Sequence, residues 1–156
     1  MDLRDWVVVI VHIVLSGLGA WLLAIDARTH RLPNRIVLPT LAALLGLGVI
    51  DALVSGGTSA LVRAMLGMVI LGGFYAGLRL ISQAGMGGGD VKLAAVIGLI
   101  LGWHGWQSLA VGAAAAFVLG ALYAMGLMLL RRANGSTRIA FGPWMIIGAV
   151  LGIALA

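Results

Sequence analysis

The chain has 156 residues, of which 62% are hydrophobic and 10% are charged. Its mean hydropathy of +1.14 excludes an ordinary soluble enzyme, because no interior of this size could hide so much apolar surface; one membrane-embedded domain, residues 1–156, is expected. With no cysteine, disulfides, a thiolate nucleophile and Cys-ligated zinc are excluded as well.

The elements follow from apolar runs of about 20 residues, the length a helix needs to cross roughly 30 Å of hydrocarbon. The pattern predicts an all-α integral membrane protein of six transmembrane helices. The first runs from near Trp6 to Ile25, and it is too long and lacks the basic start of a cleaved signal. Asp26 follows it, then Arg28, His30, Arg31 and a Leu32-Pro33-Asn34 turn. The second span covers Ile36 to Val54, with Asp51 near its far end, and the third covers Leu61 to Ile81. The fourth, Val91 to about Trp103, is short and is preceded by a glycine loop; the fifth covers Ser108 to Leu130 and the sixth Ile139 to Ala156.

Charge sets the orientation. The net charge is +5, yet the basic residues fall between apolar runs, as topology requires, rather than in a nucleic-acid patch; no nucleic-acid partner is expected. Arg28, Arg31, Arg35, Arg79, Lys92, Arg131, Arg132 and Arg138 occupy alternate loops, eight of the ten basic residues, and only Arg4 and Arg63 fall on the other side. The expectation is an N-terminus outside, with Asp26 and Asp90 both at the cytoplasmic face. Arg63 is expected to snorkel outward rather than pair with Asp51. Trp103 and Trp106 are expected at the outer interface. Gly73 with Gly77, Gly98 with Gly102, and Gly148 with Gly152 are pairs that would let helices approach closely.

All five acids are Asp, and one of them closes the stretch Gly85-Met86-Gly87-Gly88-Gly89-Asp90-Val91-Lys92-Leu93. The plain reading is a loop ending in an Asp-capped helix. An ionisable group at a membrane helix end beside bare backbone is equally a sign of function. The helix dipole and free N–H groups favour the ionised form of Asp90, and Lys92 adds a cation. Asp26 stands at a helix C-terminus, where the dipole disfavours its anion; the structural alternative is a solvated acid paired with Arg28. Two carboxyls biased in opposite directions suit an acid–base pair for peptide hydrolysis. Gly87, Gly88 and Gly89 could offer backbone groups to an extended substrate strand, or simply permit a turn. His12, His30 and His104 show no metal-ligand spacing. No metal or cofactor is expected.

These residues resemble a known family. Gly87-Gly88-Gly89-Asp90 fits the Gly-x-Gly-Asp signature of intramembrane aspartyl proteases, and the longer glycine stretch is similar to that of type IV prepilin peptidases. Asp26 followed by Leu32-Pro33-Asn34, and Phe141-Gly142-Pro143 before the last span, complete the family's ordered motifs; Ala140 stands where the family often has proline. The resemblance implies an aspartic endopeptidase that removes leaders from prepilin-like proteins, such as those of Flp-type pili, at the bacterial inner membrane, with Asp26 and Asp90 catalytic. Gly87, Gly88, Gly89, Lys92, Pro33 and Asn34 would support substrate. It further implies a short, peptidase-only form without methyltransferase activity. The alternatives are a preflagellin or presenilin-like protease with the same dyad, and a small proton or ion transporter using the two aspartates.

Overall fold

The computed structural model describes residues 6, 9–11, 13–15, 17–19, 21–22, 25, 34–81, 87–131 and 141–156, and every one that lies in regular structure is helical. The helices are α1 (Val9–Gly19), α2 (Asn34–Ser55), α3 (Ser59–Ile81), α4 (Gly88–His104), α5 (Trp106–Leu129) and α6 (Gly142–Leu155). α2, α3 and α5 are long and apolar enough to cross a bilayer, whereas α1 and α6 are shorter apolar helices. At 17 residues, α4 is only about 25 Å long.

α4 is the centre of the molecule. It touches α2, α3, α5 and α6, and the tightest pairs are α3 with α4 and α5 with α6. Leu93, Ala94, Val96, Ile97, Gly98, Leu99, Leu101 and Gly102 are all buried on it, so no face of α4 is left for lipid. The outer helices instead expose large apolar side chains, among them Leu53 (78%), Ile81 (86%) and Leu129 (85%). Such a surface is stable only against hydrocarbon.

Lipid-exposed helices gain no hydrophobic free energy by leaving hydrocarbon for one another, so close packing has to hold them together. Gly67 and Gly98 face each other so closely that a Cβ on either would overlap the other's carbonyl. A Cβ on Gly102 would lie 2.7 Å from the Arg63 carbonyl oxygen, and one on Gly72 would lie 3.2 Å from the Ala95 Cβ. The α5–α6 seam repeats the device: a Cβ on Gly148 would be 2.5 Å from the Gly112 oxygen, and one on Gly152 would be 2.6 Å from the Ser108 oxygen. Two of the three expected glycine pairs therefore line seams. Gly73 and Gly77 do not, since neither would bring a Cβ within 4 Å of another atom; on α3 the contact falls on Gly67 and Gly72 instead.

Short connections make neighbours antiparallel. Gly56, at φ +68°, turns α2 into α3 in a left-handed conformation that glycine adopts without a Cβ clash. Arg35, Arg79, Lys92 and Arg131 consequently stand at one end of the bundle. Among the described basic residues only Arg63 stands at the other. Arg63 does not snorkel. Its Nε and Nη2 donate to the carbonyls of Gly102 and Trp103, at 2.7 and 2.9 Å. The last carbonyls of a helix lack intrahelical donors and carry the negative end of its dipole, so a guanidinium is a better partner there than water at a lipid boundary. Trp103 turns inward, its ring 3.0 Å from where a Gly48 Cβ would stand, while Trp106 stays exposed.

Candidate active site

The basic end of the bundle holds the start of α4. Gly87 is its N-cap, with an extended backbone (φ −75°, ψ 151°), and Asp90 is the third residue of the helix proper. The Gly87 N–H donates to Asp90 Oδ2 at 3.0 Å, and the Asp90 N–H donates to the Gly87 carbonyl at 3.2 Å. Asp90 is thus not the cap itself, as the sequence reading had it. The glycine takes the non-helical cap conformation, and the carboxylate one turn later reaches back to it, which is the acidic half of a capping box. The arrangement fixes one Asp90 oxygen at the mouth of the glycine loop. Asp90, Gly88, Gly89 and Lys92 are all half-buried there.

Gly88 has a separate task. A Cβ on it would collide with the guanidinium of Arg79, which comes from the last turn of α3 and lies directly over the first turn of α4. A side chain at 88 would expel that cation. The sequence analysis assigned Arg79 to topology alone; its contact with Gly88 depends on how α3 returns beside α4, and spacing along the chain does not reveal it.

A ring cluster lies behind Asp90. Tyr75 is 1% exposed, and the pairing of Gly72 with Ala95 and of Arg79 with Gly88 across α3 and α4 sets it level with the turn that follows Asp90. Its ring centroid is 5.6 Å from that of Phe117 and 5.8 Å from that of Phe141, and Phe117 and Phe141 are themselves 5.3 Å apart. Phe141 reaches this place because Gly120 leaves room for it: a Cβ on Gly120 would lie 2.6 Å from the Phe141 ring. The Phe141 carbonyl accepts the N–H groups of Trp144 and Met145, both at 3.1 Å. Pro143 falls in the first turn of α6, where its missing N–H costs nothing. The Phe-Gly-Pro motif is therefore a helix start that carries a ring into the wall behind Asp90. Tyr75 was not among the site residues expected from the sequence, although a hydroxyl inside so apolar a span was a signal.

Of the other expected site residues, Asn34 opens α2 at the same end. Asp26 and Pro33 lie outside the described residues. His104 is at the opposite end, its Nδ1 2.9 Å from the Ile100 carbonyl. Among the described residues, no group of three or more His, Cys, Asp or Glu side chains could hold a metal.

Residues 13–125 match the model of the type IV leader peptidase family. The chain belongs to that family. It is 35% identical over 130 residues to a prepilin leader peptidase/N-methyltransferase of Aeromonas hydrophila, covering 83% of this chain and 43% of the relative. To the protein of that description from Escherichia coli (strain K12) it is 37% identical over 136 residues, 83% of this chain and 56% of the relative. The Pseudomonas aeruginosa protein so described is 34% identical over 133 residues, 83% and 43%. The chain thus spans less than half the length of the first of these leader peptidases. No solved structure gives a significant match.

Proposed function

We propose that the chain is an aspartic endopeptidase that removes the leader of type IV prepilin-like proteins at the cytoplasmic face of the bacterial inner membrane. Asp90 carries this reading: in a leader peptidase family member, it is a carboxylate tied to a glycine loop at the basic end of the most buried helix. The positive-inside rule assigns that end to the cytoplasm, which leaves the N-terminus outside a bundle of six spans.

Asp26 would be the second acid. Gly19 packs against Ile146, a Cβ on it standing 3.5 Å from Cγ2, and Leu22 belongs to the core. Asn34 opens α2 at the basic end, and position 26 precedes it by eight residues in the sequence. In the proposed reaction, ionised Asp90 takes a proton from a water as its oxygen attacks the scissile carbonyl carbon. Protonated Asp26 hydrogen-bonds the carbonyl oxygen and gives it a proton. As the diol collapses, Asp26 takes back one hydroxyl proton, the C–N bond breaks and Asp90 gives its proton to the leaving amine, which restores protonated Asp26 and ionised Asp90.

The substrate class, the prepilin partner and the surrounding bilayer belong to this proposal. The test is incubation of the detergent-purified chain with a prepilin precursor, followed by N-terminal sequencing of the product. Asp26→Asn and Asp90→Asn should each remove cleavage by about 10³-fold or more while the protein stays folded. Retained turnover in either variant would refute the dyad.

A further inference from the structure

Tyr75 is a buried polar side chain that takes no part in the reaction proposed above. Among the described residues its hydroxyl makes no hydrogen bond, although the residue is 1% exposed. A buried hydroxyl left without a partner is costly, and native proteins rarely keep one without a use. Its neighbours narrow that use. α5 and α6 present Ala113, Ala116, Phe117, Phe141 and Met145 to it, all apolar. The small cavity beside it, ≈10 Å³, is lined otherwise by apolar residues and glycine, and a water there would lack the two to four polar partners it needs.

The α3–α4 register points to the acceptor. Gly72 lies against Ala95, and Arg79 lies against Gly88, so Tyr75 stands level with the turn that follows Asp90. The rings of Phe117 and Phe141 hold it there. Among the described residues, the charged groups at this end are Arg79 on its own helix, Asp90 and Lys92 on α4, Arg35 at the start of α2 and Arg131 at the end of α5; Asp26, the proposed second acid, lies outside them. Of these only Asp90 can accept a hydrogen bond.

We propose that Tyr75 is a positioning residue of the reaction: in the substrate-bound state its hydroxyl donates to the Asp90 carboxylate, holding Asp90 ionised and aimed at the water. The inference rests on the peptidase reading above. A hydrogen bond to the charged form favours that form, so removing it requires a higher pH to ionise Asp90. Tyr75→Phe keeps the ring and its packing and deletes only the donor.

The experiment measures the pH dependence of kcat and KM on a prepilin precursor for the wild type, Tyr75→Phe and Leu109→Ala, with unfolding temperatures in the same detergent. Tyr75→Phe is expected to lower kcat about tenfold at the acidic limb and to move that limb up by about one pH unit, with KM unchanged. Leu109→Ala, a packing control in the core at the opposite end of the bundle, is expected to lower the unfolding temperature without moving the limb. A Tyr75→Phe profile that superimposes on the wild type, or an equal displacement by Leu109→Ala, overturns the positioning role. Absence of cleavage by the wild type is a distinct result, and it overturns the peptidase reading itself.

Discussion

The backbone contact that joins α3 to α4 can be tested by one added methyl group. In Gly98→Ala, the new Cβ would stand 2.8 Å from the Gly67 carbonyl carbon and 3.0 Å from Leu71 Cβ, and closer still to the Gly67 oxygen. Carbon–carbon attraction is best at about 3.5–4.0 Å, so α3 and α4 must part locally by roughly 1 Å. The Gly67 carbonyl cannot yield alone, because it belongs to the helix backbone. Overpacking of this kind costs about 1–3 kcal/mol. Gly73→Ala is the matched control: it lies on α3 in open space, and exchange of glycine for alanine in a helix is neutral or favourable by up to about 1 kcal/mol. Thermal unfolding in detergent should therefore rank Gly98→Ala below the wild type and Gly73→Ala at or above it. Because α4 also carries Asp90, prepilin cleavage should fall with Gly98→Ala and persist with Gly73→Ala. Equal melting of the two variants would refute the claim that backbone contact joins these helices.

Asp90 has two separable roles. Asp90→Asn keeps an acceptor for the Gly87 N–H, whereas Asp90→Ala loses it along with the favourable charge at the helix start. Both variants should be inactive, but the alanine variant should be about 1 kcal/mol less stable than the asparagine one; identical unfolding temperatures would count against the capping bond. At the other end, Arg63→Met keeps the stem of the side chain and deprives Gly102 and Trp103 of two donors. A loss of about 1–3 kcal/mol is expected, and Arg63→Lys should recover part of it. Wild-type stability of the methionine variant would show that these carbonyls are satisfied in some other way.

Composition and apolar run length were enough to specify a helical membrane protein, because a bilayer tolerates few backbone solutions and a helix is readable from its own residues. The five complete helices lie close to the predicted spans. α4 begins at Gly88 rather than Val91, since glycine rather than Asp90 takes the cap, and α6 begins at Gly142 rather than Ile139. The motif around Asp90 was legible for a similar reason: its residues are consecutive, and cap geometry is local.

What crosses from one helix to another was not legible. Gly73-x-x-x-Gly77 and Gly98-x-x-x-Gly102 have identical spacing, yet only the second meets a neighbour, because rotation of α3 about its axis is set by everything packed around it. Arg63 was expected to seek water and instead ends α4, a partner supplied by residues 39 and 40 positions away. The Phe-Gly-Pro motif could be noticed in the sequence, but its link to Asp90 through Tyr75 exists only once α3, α5 and α6 surround one helix. The sequence alone determined which segments form apolar helices and which acid to examine; the tertiary structure decided which side chains surround that acid, because those contacts depend on helix rotation and register that no single segment encodes.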